Sequence, residues 1–231
     1  MWYVALSNVT HHWNDPMLNM DFSKMVAIDT TAMDWMPSPA PGVWRKPLAR
    51  EDAESGHATS IVKYEPGASF KGHNHPLGEE ILVLEGTFSD ATGDFHAGTY
   101  FRNPKGFIHA PFSKEGCTIL VKLHQMDPQD TTRLAVDTSR LAWENAMPGA
   151  RYSILHQFGT ETVVMVEAKA GVVSPFHRHE HGEEIYLIKG KFHDEFGSYA
   201  AGTWIRHPHG SEHAPVFDED SLLWVKHGHL H

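Results

Sequence analysis

An internal repeat is the feature that most constrains what this chain can fold into. Residues 72–112 align with residues 176–216 without any insertion, at an offset of 104 residues. A repeat of this length indicates that one structural unit has been built twice. Because single domains cluster at roughly 100–150 residues, the 231 residues of the chain suit two small domains of similar structure.

A second matching piece lies upstream of each copy. The sequence AIDTTAMDW at 27–35 resembles AVDTSRLAW at 135–143, at an offset of 108, so the two units differ by four residues between this piece and the longer repeat. A polar, proline-containing stretch at 127–130 suits a linker between the units. We therefore predict three parts: an N-terminal extension at 1–25, a first domain at 26–128 and a second domain at 129–231.

Each unit reads as a series of short strands. Runs rich in β-branched and aromatic residues alternate with turn residues, as in TSIVKY, EILVLEG, AGTYFRNP and CTILVKL of the first unit. Spacing of about ten residues between such runs is typical of a sandwich or a jelly-roll barrel. The prediction is an all-β chain, with turns at 90–93 and 194–197 and one short helix at 17–25.

Composition excludes several classes of function. The formal net charge of -10 disfavours binding to nucleic acid or to anionic lipid surfaces. No apolar run approaches the ~20 residues that span a bilayer, and the first residues lack the pattern of a secretion signal, so we expect a cytoplasmic protein. The single cysteine, Cys117, excludes an internal disulfide and is expected to be a small buried residue.

Histidine is abundant, at 19 residues, and its placement suggests a metal site. His73 and His75 are two positions apart, so on a strand both side chains project to the same face. Glu79 has the same parity if the strand resumes after the intervening turn, whereas Glu80 should point away. His109 follows a Pro-x-Gly turn and would complete the set from another strand.

The same constellation occurs in the repeat, which makes coincidence remote. Three neutral imidazoles and one carboxylate suit a divalent ion of zinc, iron, manganese, nickel or copper, and leave one or two coordination positions open. We predict one ion in each domain. The predicted ligands are His73, His75, Glu79 and His109 in the first domain, and His177, His179, Glu183 and His213 in the second.

The spacing of these residues matches the two cupin motifs in both units. In the first unit the motif residues run from Gly67 to Gly86 and from Gly98 to His109. Within the cupins, GEEILVLEGTFSD and HAPFSKEGCTILVKL resemble the ChrR-type branch, named for the cupin domain of an anti-sigma factor. The resemblance implies two tandem cupin barrels of the double-stranded β-helix, or jelly-roll, type, and the same eight metal ligands.

The resemblance also bears on cofactor and partner. It implies zinc, and zinc or iron is the preferred reading here, with manganese or nickel as alternatives. Anti-sigma factors of this type grip their sigma factor through a separate helical domain that holds zinc with His and Cys, and this chain has no such domain. Direct sigma-factor binding is therefore not expected, and exposed sheet edges would allow a homodimer instead.

Three functions remain open. The first is a metal-binding bicupin that senses or binds a small ligand; the second is a mononuclear iron dioxygenase acting on a small ketone, diketone or aromatic acid; the third is a metal with a structural role. No nucleophile, phosphate loop or dedicated acid is apparent, so catalytic residues are unassigned and no organic cofactor is expected.

Several further residues recur in the repeat or crowd the predicted site. Arg102 and Arg206 are expected in structural salt bridges, with a substrate carboxylate as the other reading. The histidines near the second site are expected to form surface or loop hydrogen bonds, with proton transfer or extra metal binding as alternatives; they are His181, His207 and His209. The recurring aromatics are expected to fill the barrels; they are Tyr100 with Trp204, and Phe88 with Phe192.

Overall fold

The computed structural model describes residues 17–52 and 56–230, and the fold in that part of the chain is all-β, as predicted. Alternating burial of side chains along the strands explains why these β-branched and aromatic runs form sheets. Two single-turn 3-10 helices, Thr30–Ala32 and Thr138–Arg140, are the helical elements of the described residues.

The strands of each half are as follows. The first half contains β1 (Val26–Asp29), β2 (Met36–Pro37), β3 (Val43–Arg50), β4 (Ala58–Tyr64), β5 (His73–His75), β6 (Glu79–Asp90), β7 (Gly93–His96), β8 (Thr99–Asn103), β9 (Phe107–His109) and β10 (Cys117–Leu123). The second half contains β11 (Leu134–Asp137), β12 (Glu144–Met147), β13 (Ala150–Phe158), β14 (Glu161–Ala168), β15 (His177–Arg178), β16 (Glu183–Lys189), β17 (Lys191–His193), β18 (Ser198–Ala200), β19 (Thr203–His207), β20 (Glu212–His213), β21 (Val216–Phe217) and β22 (Ser221–His227).

The short helix predicted at 17–25 is wrong. This segment contains a bridge from Leu18 to Arg50 and a turn in which the Lys24 amide donates to the Asp21 carbonyl. The Asp21 carboxylate also accepts hydrogen bonds from the Ser23 amide and hydroxyl. Such local side-chain bonds compete with helix formation, which explains why the apolar methionines of the segment do not produce a helix.

Each half forms a barrel from one large antiparallel sheet and smaller sheets that face it. The first large sheet has the strand order β11-β8-β6-β10-β4-β3-β2, and the second has the order β1-β19-β16-β22-β14-β13-β12. Phe88 packs in the interior of the first barrel and Phe192 in that of the second, each 1% exposed, as expected. The two interiors are separate clusters of apolar side chains.

The first strand of each half is exchanged between the barrels. β1 pairs antiparallel with β19 of the second half, and β11 pairs antiparallel with β8 of the first half. Each large sheet is therefore completed by a strand from the other half of the sequence.

A third apolar cluster joins the barrels. It combines side chains of both halves, and Tyr100 and Trp204, each 0% exposed, lie in it rather than inside their own barrels. The expectation that these two aromatics fill the barrels is therefore corrected. Their large rings pack at the contact between the halves, where a core-like interface holds the two barrels together.

Charged residues are buried beside this shared cluster. Glu80, Arg102 and Lys226 are each at most 2% exposed. Although burial alone would raise the pKa of Glu80, the Lys226 and Arg102 cations hold it well below its usual range. The ion pairs join Arg102 to Glu80 (2.9 Å), Asp130 (2.7 Å) and Glu161 (2.7 Å), Lys226 to Glu161 (3.0 Å) and to Glu80, and Lys122 to Glu184.

Most of these pairs cross from one half of the chain to the other. Arg102 takes the structural role that the sequence favoured, since its guanidinium is bound by three carboxylates. Arg206 is equally buried but lies over the Phe22 ring, 4.7 Å from its centroid, and donates to the Asp21 carbonyl. The two halves therefore differ at their contact in spite of the repeat.

Two expectations from composition can be compared with this fold. Cys117 is 5% exposed, and burial raises the pKa of its thiol to about 11, which fits a small buried residue rather than a reactive one. Within residues 17–52 and 56–230, no helix has the length and apolar character needed to cross a membrane.

Candidate metal centres

The predicted ligands of the first domain converge on one point in the first barrel. β5 and β9 form a two-stranded sheet in which His73 lies directly opposite His109. Glu79 is the first residue of β6, where the chain re-enters the large sheet. The parity argument therefore placed Glu79 correctly on the side of the histidines, and it placed Glu80 correctly on the other side, among the interface charges.

The nitrogen and oxygen atoms of the predicted ligands lie close together at this first centre. The Nε2 atoms of His75 and His109 are 3.0 Å apart. Glu79 Oε1 lies 3.6 Å from His75 Nε2, and Glu79 Oε2 lies 3.4 Å from His109 Nε2. His73, His75 and His109 each offer a nitrogen within 4.8 Å of the other two.

The outer nitrogens of the rings are held by hydrogen bonds. His73 Nδ1–H donates to the Lys71 carbonyl at 2.8 Å, and His109 Nδ1–H donates to the Asp90 carboxylate at 3.0 Å. These bonds fix the tautomer, so that the Nε2 lone pairs of both rings face the centre. In a metal site this arrangement orients a histidine and increases its basicity.

Sequence reasoning missed the role of Asp90 and its counterpart Asp194. Both were interpreted only as turn residues, and Asp90 does accept the Thr92 amide in its turn. The other oxygen of each carboxylate accepts from a ligand histidine, His109 at 3.0 Å and His213 at 2.9 Å. Their recurrence at the same offset of 104, in a turn whose two central residues differ between the copies, was the signal that could have identified them.

The second centre repeats this construction. His177 lies opposite His213 in the sheet of β15 and β20, and His177 Nδ1–H donates to the Pro175 carbonyl at 2.8 Å. Glu183 Oε2 lies 3.6 Å from His179 Nε2 and 3.9 Å from His213 Nε2. The structure thus brings all eight predicted residues into two groups of four, and their binding of metal remains a prediction.

The centres differ at one position. Asn103 lies opposite Glu79 in the first barrel and donates its amide to Glu79 Oε2 at 3.0 Å, whereas His207 lies opposite Glu183 in the second. His207 is 0% exposed, which contradicts the expectation of a surface or loop hydrogen bond for this residue.

That expectation fits the two neighbouring histidines. His209 is exposed, and its Nδ1 accepts a hydrogen bond from the His181 amide at 2.9 Å.

Burial disfavours the charged form of two histidines and both glutamates before a metal arrives. Desolvation lowers the pKa of His75 and of His179 to about 3, so both rings are neutral at pH 7. Desolvation raises the pKa of Glu79 to about 8 and that of Glu183 to about 7. A buried carboxylate with these values needs a cation beside it to ionise fully.

The donor set fits a divalent metal ion. Neutral imidazole nitrogens and a carboxylate are ligands of zinc, iron, manganese and nickel, and Nε2 of His179 is buried with no hydrogen-bond partner in the described residues. Either centre could hold one ion through its three histidines and its glutamate. The geometry does not select among these metals.

Metal binding at the first centre should release a proton from Glu79. In a His213→Ala variant, which retains only the first centre, we expect apparent affinity for zinc to rise by up to about tenfold per pH unit towards pH 8 and to level off above it. Calorimetry in buffers of different ionisation enthalpy measures the number of protons released on zinc binding, and an affinity that is flat from pH 7 to 8 would contradict this expectation.

By the same linkage, the raised Glu79 pKa lowers the free energy of unfolding of the metal-free protein as pH rises from 4.5 to about 8.

A pocket in each barrel can be compared by whether the predicted metal ligands form part of its wall. A pocket of about 440 Å³ in the first barrel is lined by His73, His75 and Glu79 together with Arg45 and Arg50. A pocket of about 500 Å³ in the second barrel is lined mostly by apolar side chains, with β12, β13 and β14 contributing most of its wall, and its described lining residues include none of the four ligands of that centre. The first centre therefore forms part of the wall of a pocket.

A known protein family matches the chain twice, once in each half. The family model described as the ChrR cupin-like domain matches residues 23–127 and again residues 131–231. The comparison with curated proteins finds no match.

Solved structures show the same architecture. The chain is similar to a protein described as a candidate dioxygenase from Nostoc punctiforme, with a TM-score of 0.74 and 18% identity over 88% of this chain and 82% of that one. It is also similar to YlbA from E. coli, with a TM-score of 0.68 and 12% identity over 89% of this chain and 91% of that one. A variant of oxalate decarboxylase from B. subtilis has a TM-score of 0.63 and 14% identity over 89% of this chain and 77% of that one. At these identities the likeness concerns the fold alone.

Proposed function

Because the chain belongs to the ChrR cupin-like family, we propose that it is a two-centre metal protein whose first barrel binds a small organic ligand in a sensing role. The single observation that carries the proposal is the pocket of about 440 Å³ whose wall includes His73, His75 and Glu79. A pocket of this size admits a small molecule and brings it against the predicted metal ligands.

The walls of this pocket indicate the charge of the ligand. Arg45 and Arg50 line it, with Asp52 beside them, and the Arg50 Nε–H donates to the Asp52 carbonyl at 2.8 Å. At the equivalent positions of the second barrel, identified by their strand partners, stand the uncharged Tyr152 and Gln157. Two guanidinium groups in the first pocket favour a ligand with anionic oxygen atoms.

The metal and the residues would act together on such a ligand. A bound divalent ion supplies a Lewis acid that attracts an anionic oxygen. The side chains around it exclude water on one wall, where Tyr64 and Phe70 pack edge to face with ring centroids 5.8 Å apart. We therefore propose a carboxylate or a diketone enolate as the ligand class, with zinc or iron as the metal.

Titration of the cobalt(II)-loaded protein with oxalate and with acetylacetone tests this proposal. Both probes should change the visible absorption of cobalt, and the His109→Ala variant should lose the response. Replacing Arg50 with glutamine, the residue of the second barrel, should weaken oxalate binding by about tenfold, which corresponds to about 1.4 kcal/mol. A change in the second barrel's wall, Gln157→Ala, is the matched control and should leave binding unchanged.

Two results would count against the proposal. One is a cobalt spectrum that neither probe alters, and the other is a response that survives in the His109→Ala protein. The first result would show that neither anion reaches a metal, and the second would show that the response does not come from the first centre.

Turnover at the same centre is the second candidate function. Four protein ligands occupy four of the six positions of an octahedral metal and leave two open, and open positions at a site of histidines and a carboxylate are a feature of non-haem iron oxygenases. The iron(II)-loaded protein would then act as a dioxygenase on a small ketone, diketone or aromatic acid. Oxygen uptake with acetylacetone or a dihydroxybenzoate measures this, and no uptake above that of the His109→Ala variant would leave ligand binding as the function.

A further inference from the structure

His207 is a buried histidine with no hydrogen-bonding role, and it lies beside the second centre. Its side chain is 0% exposed, and neither ring nitrogen has a hydrogen-bond partner in the part of the chain that the structure describes. Two unsatisfied buried nitrogens cost free energy unless some other group binds them. We propose that His207 is a fifth protein ligand to the metal of the second barrel, an inference that goes beyond the proposed function of the first.

The position of the ring supports direct ligation. His207 lies opposite Glu183 across the β16–β19 ladder, so both side chains leave the sheet on the same face. The His207 ring centroid is 4.4 Å from that of His213, and the ring stacks on His179 at 5.6 Å with an interplanar angle of 18°. Glu183, His207 and His213 each offer an atom within 4.8 Å of the other two.

The first barrel shows what this position does without a histidine. Asn103 occupies it there, and its amide holds the second oxygen of Glu79 at 3.0 Å. In the described structure Glu183 has no such donor, because the imidazole at 207 does not hydrogen bond to it. The residue at this register therefore supports the glutamate in one barrel and turns a further nitrogen donor toward the centre in the other.

Five ligands give the second centre a different character from the first. A six-coordinate ion there would retain one open position, against two in the first barrel, and the pocket of the second barrel does not reach its ligands. With one open position, the second metal would be held tightly and could not take a ligand that chelates it through two atoms. The two copies of the repeat have taken separate tasks, ligand binding in the first barrel and stable metal retention in the second.

Cobalt(II) binding to a chain with one centre tests the inference. In a His109→Ala background, which empties the first centre, we expect His207→Asn to weaken cobalt affinity by at least about tenfold, since loss of outer partners alone costs 10–100-fold. The visible bands of cobalt should also shift and intensify as the coordination number falls. Competition with a chelator gives the affinity, and absorption spectroscopy gives the ligand number independently of any activity.

Matched variants make the result decisive. His209→Ala, an exposed histidine two residues away, should leave affinity and spectrum unchanged. Asparagine already occupies the equivalent position of the first barrel, so His207→Asn is a substitution that this fold accommodates. The reciprocal change, Asn103→His in a His213→Ala background, should tighten cobalt binding and weaken the visible bands.

The inference is overturned if His207→Asn leaves both affinity and spectrum unchanged. It is equally overturned, should that variant fail to fold, if Asn103→His leaves the cobalt spectrum and affinity of the first centre as they were. Failure of the anion titration in the first barrel would not affect either measurement, so the two proposals can fail separately.

Discussion

Replacing Glu80 with alanine is expected to lower the free energy of unfolding by about 3–5 kcal/mol, because it removes one of the two carboxylates that the buried Arg102 and Lys226 share and leaves them with Glu161 alone in common. Glu80 binds Arg102 at 2.9 Å, pairs with Lys226, and accepts a hydrogen bond from the Tyr100 hydroxyl at 2.7 Å. Both cationic side chains are 0% exposed, so water cannot replace the lost carboxylate. For a chain of this size the change corresponds to a melting temperature lower by roughly 6–20 °C.

Denaturant titration in the presence of a chelator measures this loss without the contribution of bound metal. Glu85→Ala is the matched control, since Glu85 is exposed on the same strand and its removal should change stability by no more than about 0.5 kcal/mol. A Glu80→Ala protein as stable as the Glu85→Ala protein would mean that the buried pairs contribute nothing beyond the cost of burying them. The expected loss of stability follows because only one partner of the ion pairs is removed. Replacing the whole charged network with apolar residues of similar size could leave the free energy of unfolding unchanged.

Removal of one metal ligand should halve the metal content of the protein. We expect His109→Ala to retain one ion per chain instead of two, because the remaining ligands of the first centre lose both the His109 nitrogen and the support of Asp90. A metal present at 1,000 times its dissociation constant stabilises the folded state by about 4 kcal/mol, and that contribution is lost for the empty site. Elemental analysis of protein purified without a polyhistidine tag gives the count.

The control for this variant is another histidine of the same barrel. His96 is exposed on β7, where its Nδ1 lies 3.0 Å from the Thr87 hydroxyl oxygen. The His96→Ala protein should keep both ions. Chelation should lower the melting temperature of the wild-type protein and of the His96→Ala protein alike, and should have a smaller effect on His109→Ala. Two ions bound per chain in the His109→Ala protein would show that the first centre does not use this ligand.

The repeat explains why so much of the site could be predicted from the sequence. Side chains alternate along a strand, so the spacing of His73, His75 and Glu79 is enough to predict that all three point the same way. The same spacing 104 residues later makes coincidence remote and identifies the second set. Both groups of four converge, as the distances between their nitrogen and oxygen atoms show.

Other features could not be predicted, because the alternation of side chains along a strand does not specify which strand or side chain it will pair with. The pattern of Val26–Asp29 gives a strand, but nothing in it specifies that the strand pairs with β19 of the opposite half. Burial of Lys122 and Lys226 was unexpected for a different reason, since lysine is almost never fully buried unless it is paired. Their recurrence at the offset of 104, on strands that are otherwise apolar, was the available signal.

The exchanged strands determine when each large sheet can be completed as the chain is synthesised. β1 leaves the ribosome well before β19, and the Thr30 hydroxyl, just after β1, donates to the Gly202 carbonyl, 172 residues further along the chain. At 5–20 residues per second, the opening strand would wait roughly ten seconds or more for the edge it is meant to cover. During synthesis the first half is also without β11, its own closing strand, so the nascent chain exposes an unpaired sheet edge until the linker and the following residues emerge. The two large sheets are therefore complete only once both halves have been synthesised, because each half supplies a strand that the other lacks.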